Sequence, residues 1–107
     1  MISVIMSAYQ EDLSVFVPAV TSILDQKGPS FELILVLDDP ENTELASWVD
    51  ENLLSDDRVR VLRNKNNLGL ARSLNRAIEN ASGDFLCRMD ADDIAEPHRL
   101  EKQLSYL

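Results

Sequence analysis

Apolar positions along this chain alternate between two spacings. Short apolar runs recur at Ile2 to Ser7, Phe31 to Leu37, Val59 to Leu62 and Phe85 to Met89. The Phe31 to Leu37 run is nearly unbroken, as expected of a strand covered on both faces in a parallel sheet. Between the runs the apolar residues take helical spacing. Leu13, Phe16, Val17, Val20, Ile23 and Leu24 predict a first helix, with Ser14 as its cap, Pro18 near its start and its end near Gln26, before Gly28 and Pro29. Leu45, Trp48, Val49 and Leu53 predict a second, in which Trp48 is a core residue. Leu70, Leu74, Ala77, Ile78 and Ala81 predict the buried stripe of a third, ended by Gly83. Leu100 and Leu104 predict a last helix with Pro97 in its first turn.

Four strand-then-helix units in 107 residues predict one folding unit of the α/β class, a doubly wound, mostly parallel sheet with right-handed crossovers. Ligands of such sheets bind beyond the carboxyl ends of the strands. The polar groups expected there are Ser7 and Tyr9 after the first strand, Asp38 and Asp39 after the second, the Asn64 to Gly69 loop after the third, and Asp90 to Asp93 after the fourth.

Composition narrows the classes. Apolar residues make up 45% and charged residues 27%, a globular balance that excludes disorder. The net charge of −9 argues against nucleic acid as a partner, since polyanion affinity comes from lysine and arginine. Charge is unevenly placed: residues 38 to 57 hold acids and no base, whereas Arg58, Arg60, Arg63, Lys65, Arg72 and Arg76 follow with no acid among them. That second block is a candidate for holding one small anion. The single cysteine, Cys87, forms no internal disulfide and reads as a buried thiol, which fits a reducing, cytoplasmic setting. Attachment at the inner face of the membrane through segments absent here is compatible with that setting.

Asp90 and Asp92 are separated only by Ala91, and Asp93 follows. Hard oxygen ligands clustered in this way suit Mg²⁺ or Mn²⁺, with water and substrate phosphates completing the coordination. Spacing alone leaves a second reading open, in which Asp92 and Asp93 cap the last helix. Asp38 and Asp39 are placed to accept hydrogen bonds from a base or ribose, or simply to form a turn with Pro40, Glu41 and Asn42. Tyr9 offers an aromatic face to a base, and His98 reads as a helix-surface residue. No Gly-x-x-x-x-Gly-Lys loop and no Gly-x-Gly-x-x-Gly fingerprint is present.

Taken in order, several segments resemble the family-two glycosyltransferases. They are Ser3 to Tyr9, Ser22 to Gln26, Leu35 to Asp39, Asn67 to Arg72 with Asn75, Ala81 to Phe85, and the Asp-x-Asp element Asp90-Ala91-Asp92. The resemblance extends over essentially the whole chain and implies the Rossmann-like, nucleotide-binding half of a GT-A fold. It implies that Tyr9 packs on the base, that Asp39 bonds the polar edge of the base, and that Asp90 lies near ribose or metal with Asp92 the main ligand of Mn²⁺ or Mg²⁺. Ser7, Asp38 and Gly69 complete the expected nucleotide contacts, and Arg72 matches a basic position beside the nucleotide. Pro40 and Glu41 depart from the glycine and serine common in the family, as does Gln10 from its asparagine.

The implied reaction is transfer of a sugar from a nucleotide-diphosphate sugar, UDP- or dTDP-linked, to the hydroxyl of an acceptor glycan, lipid or polysaccharide. The resemblance also implies a second half that supplies the acceptor site and the general base. The chain stops at Tyr106-Leu107, so the base is expected beyond Leu107, the chain alone is expected to be inactive, and self-association through an uncovered face is expected. Two other readings share the α/β plan. A sugar-phosphate nucleotidyltransferase needs a glycine-rich loop where Ser7 to Glu11 stand, and a Mg²⁺-binding receiver domain needs its acidic pair after the first strand.

Overall fold

In a computed structural model describing residues 1–105, strands and helices alternate along the whole chain. They are β1 (Ile2–Ala8), α1 (Leu13–Leu24), β2 (Phe31–Leu37), α2 (Thr43–Asn52), β3 (Val59–Arg63), α3 (Leu70–Glu79), β4 (Phe85–Arg88) and α4 (Arg99–Ser105). All strand pairs are parallel and the sheet order is β3-β2-β1-β4, so the order reverses at β1. This is the doubly wound α/β sheet the alternation predicts.

β1 and β2 pair from Ile2–Phe31 to Ala8–Leu37, the longest register in the sheet. Both faces of these strands are covered, which is why their sequences lack polar alternation. Val4, Met6, Leu33 and Leu35 pack with Phe16, Val20, Leu45 and Leu100 on one side, whereas Ile5, Ile34 and Val36 meet Ala77 and Leu74 of α3 on the other. Trp48 stands edge-on to Phe16 with ring centroids 5.8 Å apart, as its core reading requires. Cys87 is buried, and desolvation pushes its thiol pKa up.

Several boundaries differ from the expected ones, each for a physical reason. α1 begins at Leu13 after Asp12, not after Ser14, because Leu13 packs against the core and draws the helix start inward. Pro18 therefore lies inside α1; the carbonyl it leaves without a partner belongs to exposed Ser14, within reach of water. α3 ends at Glu79, four residues before Gly83, and it buries Ser73 and Ala77 while Leu70 and Ile78 stay 50% and 42% exposed. The expected apolar stripe is thus only partly the buried face. α4 begins at Arg99, leaving Pro97 in the preceding loop, and the Tyr106-Leu107 end lies outside the described residues.

The rotation of α3 follows from Asp38, the first residue after β2. This carboxylate is 2% exposed. Its Oδ1 accepts from Asn64 Nδ2 at 2.7 Å and Leu68 N at 2.8 Å, and its Oδ2 accepts from Gly69 N at 3.0 Å. Asn64 Nδ2 also donates to Ser73 Oγ at 3.0 Å, which turns Ser73 toward the sheet. Arg76 completes the group by donating to Asn64 Oδ1 at 2.6 Å. Gly69 precedes the first turn of α3 with φ +88°, a conformation that favours glycine, and it has no side chain to cap the helix. Asp38 supplies the missing negative charge from another strand. Burial alone would raise its pKa, but the Leu68, Asn64, Gly69 and Ser73 hydrogen bonds outweigh that and hold the carboxyl below the ordinary aspartate range.

Gly83 serves close approach rather than helix ending. Its N–H donates to Ser3 Oγ at 2.8 Å, and a Cβ there would lie 2.6 Å from that oxygen and 2.7 Å from Met1 O. Gly83→Ala is expected to destabilise the chain by about 1–3 kcal/mol in urea unfolding followed by Trp48 fluorescence.

Asp38→Asn is expected to cost roughly 3 kcal/mol at neutral pH, because buried donors lose a charged acceptor. The folded pKa of Asp38 lies below the unfolded one, so its contribution is complete above the unfolded value of about 3.9 and is lost as pH falls through the folded value. The stability gap between parent and Asp38→Asn should therefore shrink below about pH 4. A gap independent of pH from 7 to 2 refutes the assignment.

Candidate functional site

The carboxyl ends of the strands form one rim. A cleft of about 360 Å³ on it is lined by Ser7 and Tyr9 from the end of β1, Glu11, Asp38, and Asn67, Gly69 and Leu70 from the loop into α3. Four of the expected nucleotide contacts, Ser7, Tyr9, Asp38 and Gly69, thus meet in one place. Tyr9 is 38% exposed; its backbone N–H donates to Glu11 Oε2 at 2.6 Å and its carbonyl accepts from Asn42 Nδ2 at 2.9 Å. The loops after β1 and β2 are thereby joined, and the phenol side chain is left to the cleft.

Asp39 lies beside this cleft rather than in it. Leu37 pairs with Ala8, so Asp39 and Tyr9 follow neighbouring strands, but Asp39 lines two adjoining depressions, one with Gln10, Asp12 and Asn42 and one with Pro40, Arg63 and Asn64. Its Oδ1 accepts from Glu41 N at 2.9 Å, which closes the turn that Pro40 and Asn42 predict. The other oxygen makes no hydrogen bond among the described residues.

Asp90, Asp92 and Asp93 follow β4, on the opposite side of β1 from Asp39. Each offers a carboxylate oxygen within 4.8 Å of the others, and all three are exposed. They project outward while their neighbours Met89, Ala91 and Ala95 are buried in the core. The helix-cap reading fails on position, since α4 begins six residues after Asp93. A set of hard, anionic oxygens at this spacing fits a Mg²⁺ or Mn²⁺ ion. Arg88 Nη2 lies 3.1 Å from Asp90 Oδ1 and offsets part of the charge. Asp92 and Asp93 have no ion-pair partner among the described residues.

Most of the basic block is engaged within the fold. Arg58 pairs with Asp56 at 2.8 Å and covers the Phe31 ring, Arg60 donates to Asn80 O at 2.9 Å, Arg63 pairs with Asp50, and Arg76 joins the Asp38 group. Arg72 stands exposed near the start of α3, outside the cleft, with no such partner among the described residues. His98 is on the surface, 3.0 Å from Glu101, as expected.

Sequence reasoning missed Glu11 and Asn42. No periodicity marks either residue. Both bind Tyr9 backbone atoms, Glu11 locally from two residues on and Asn42 from the loop after β2, a contact that only the folded rim creates.

Residues 3–107 match the model of glycosyl transferase family 2. The chain is 37% identical over its whole length to the uncharacterized glycosyltransferase MJ1057 of Methanocaldococcus jannaschii, of which it covers 37%. It is 34% identical, again over its whole length, to the UDP-Glc:alpha-D-GlcNAc-diphosphoundecaprenol beta-1,3-glucosyltransferase WfgD of Escherichia coli, of which it covers 41%. The chain therefore spans less than half the length of these relatives. Among solved structures, S. aureus TarS 1-349 in complex with UDP-GlcNAc superposes with a TM-score of 0.80 over 98% of this chain and 30% of TarS, at 24% identity, a likeness of fold. The family match sets aside both alternatives, the nucleotidyltransferase, whose glycine-rich loop is absent after β1, and the receiver domain, whose acidic pair would directly follow β1, where Tyr9 and Gln10 stand. By the extent of its match and the GT-A-type fold it shares, this chain belongs to glycosyl transferase family 2.

Proposed function

We propose that the chain is the donor-binding part of an enzyme that transfers a sugar from a nucleotide-diphosphate sugar, UDP- or dTDP-linked, to an acceptor hydroxyl. The observation that carries this reading is the convergence, on one rim of the sheet, of an open cleft around Tyr9 and Gly69 with the carboxylates of Asp90, Asp92 and Asp93. Support for UDP comes from relatives, since TarS is described in complex with UDP and with UDP-GlcNAc, and the name of WfgD specifies UDP-Glc.

In this reading Tyr9 stacks on the base, Asp39 accepts from its polar edge through the free oxygen, and Ser7 and Gly69 border the ribose. Asp38 acts through the loop it holds. Arg72 meets the diphosphate from the start of α3, where the helix dipole favours an anion. Asp92, with Asp90, would hold Mn²⁺ or Mg²⁺, whose charge offsets that of the diphosphate when bound. We assign the general base to no residue of this chain. The 107-residue chain alone therefore binds donor without transferring sugar, because acceptor positioning and a base supply most of the remaining rate. The outer edge of β4, with Phe85 and Leu86 exposed, is the surface through which it self-associates. A cytoplasmic setting belongs to the same proposal.

Calorimetry with UDP and Mn²⁺ is expected to show binding that disappears with chelator and in Asp92→Ala. Equal binding with and without chelator rejects the ion. Asp39→Ala is expected to weaken uridine, which has no phosphate, by about tenfold, the equivalent of one hydrogen bond to a charged group. An effect on UDP with none on uridine moves Asp39 to the phosphate side. Acceptor-dependent turnover by the 107-residue chain that vanishes in Asp92→Ala refutes the donor-binding-only reading.

A further inference from the structure

The Ser22 to Gln26 segment at the end of α1 lines none of the clefts described above, yet its polar side chains are engaged on the loop that carries the three carboxylates. Ser22 Oγ donates to Ala19 O at 2.6 Å and accepts from Ala95 N at 2.8 Å. One turn later Gln26 uses both ends of its amide. Its Nε2 donates to Glu96 O at 2.6 Å and to Ser22 O at 3.2 Å, and its Oε1 accepts from Leu100 N at 3.0 Å. The next backbone amide, Lys27 N, donates to Pro97 O at 3.0 Å.

These contacts are not needed to end α1. Asp25 closes the helix by donating its own N–H to Thr21 and Ile23 carbonyls. The loop is what needs them. Between β4 and α4 no helix or strand fixes the backbone, so its position depends on individual hydrogen bonds and buried side chains. On the β4 side Met89 N donates to Ile5 O at 3.0 Å, and Asp93 N to Asp90 O at 3.2 Å. Ala91 and Ala95 are buried, while Asp92, Asp93 and Ile94 between them are exposed. Asp92 and Asp93 are therefore suspended between two buried alanines, with Asp90 just before the first, and the second is held by Ser22.

We propose that Ser22 and Gln26 are positioning residues for the carboxylate group. By clamping Ala95, Glu96 and Leu100 from α1, they fix how Asp90, Asp92 and Asp93 stand relative to one another and so set the affinity of the group for a divalent ion. The requirement is geometric, since Mg²⁺ demands near-octahedral oxygens at about 2.0–2.1 Å and a drifting loop cannot maintain them. This inference rests on the reading of those carboxylates as an ion site, and the two fail differently.

The test compares the parent chain with Gln26→Met, similar in length but without polar ends, with Ser22→Ala, and with Ser22→Thr, which keeps the hydroxyl. Three quantities are read: Mn²⁺ uptake with UDP by electron paramagnetic resonance, uridine binding by NMR titration, and amide hydrogen exchange along the chain. Gln26→Met and Ser22→Ala are expected to weaken Mn²⁺ by about 10–100-fold, the range for residues that orient metal ligands. They should leave uridine affinity within about twofold. Exchange should accelerate at the Asp93 amide, which donates to Asp90 O, and not in β1 or β2. Ser22→Thr should restore both the affinity and the protection. Parental Mn²⁺ affinity in the two disruptive variants, or unchanged exchange at the Asp93 amide, overturns the proposal. So does loss of protection throughout β1 and β2, which would make these residues general stability determinants. A parent chain that takes up no Mn²⁺ refutes the ion site and with it the affinity claim, and exchange then decides the clamp alone.

Discussion

A single buried carboxylate, Asp38, governs how the loop after β3 enters α3. A charged group taken out of water is tolerated only when donors surround it, and here two successive backbone amides and a side-chain amide do so. The arrangement fixes three things together: the turn at Gly69, the inward rotation of Ser73, and the wall that Asn67 and Leu70 give the cleft. The end of β2, the start of β3's loop and the first turn of α3 consequently behave as one unit. Bound to protein donors, Asp38 shapes the cleft, while its neighbour Asp39 keeps an oxygen free.

The other side of the rim is built on a different principle. No buried charge organises Asp90, Asp92 and Asp93; they face outward because Ala91 and Ala95 face inward, where residues this small fit beneath α1. Two buried alanines flanking an exposed acidic stretch thus expose carboxylates from a loop without helix or strand. Close mutual approach of three such groups is repulsive, and among the described residues only Arg88 relieves it.

Membership of glycosyl transferase family 2 makes sense of this division. One rim residue set, on the β1–β2 side of the switch point, is aromatic and hydrogen-bonding, and the other, on the β4 side, is purely anionic. Strand order reverses at β1, between the two sets. The basic block, which the sequence offers as a means of holding an anion, is mostly consumed in pairing with acids and carbonyls of the fold, leaving Lys65 and Arg72 without such partners among the described residues.

By itself the sequence determined the sequence of strands and helices, the parallel class of the sheet and the residues that reach its carboxyl rim. Unbroken apolar runs such as Phe31 to Leu37 can only be buried on both faces, and local periodicity reports that without knowledge of partners. The ordered motifs from Ser3 to Asp92 carried the family as well. Less legible were the start of α1 and the buried face of α3, which depend on Leu13 reaching the core and on Ser73 being drawn to Asn64, contacts set by packing or by a loop that closes on the helix. Tertiary structure alone decided that Asp38 is enclosed while Asp39 is open, since two adjacent aspartates are indistinguishable until the loop after β3 closes over one of them. It also decided that Ser22 and Gln26 belong to the acidic loop, because hydrogen bonds spanning some seventy residues leave no trace in local pattern.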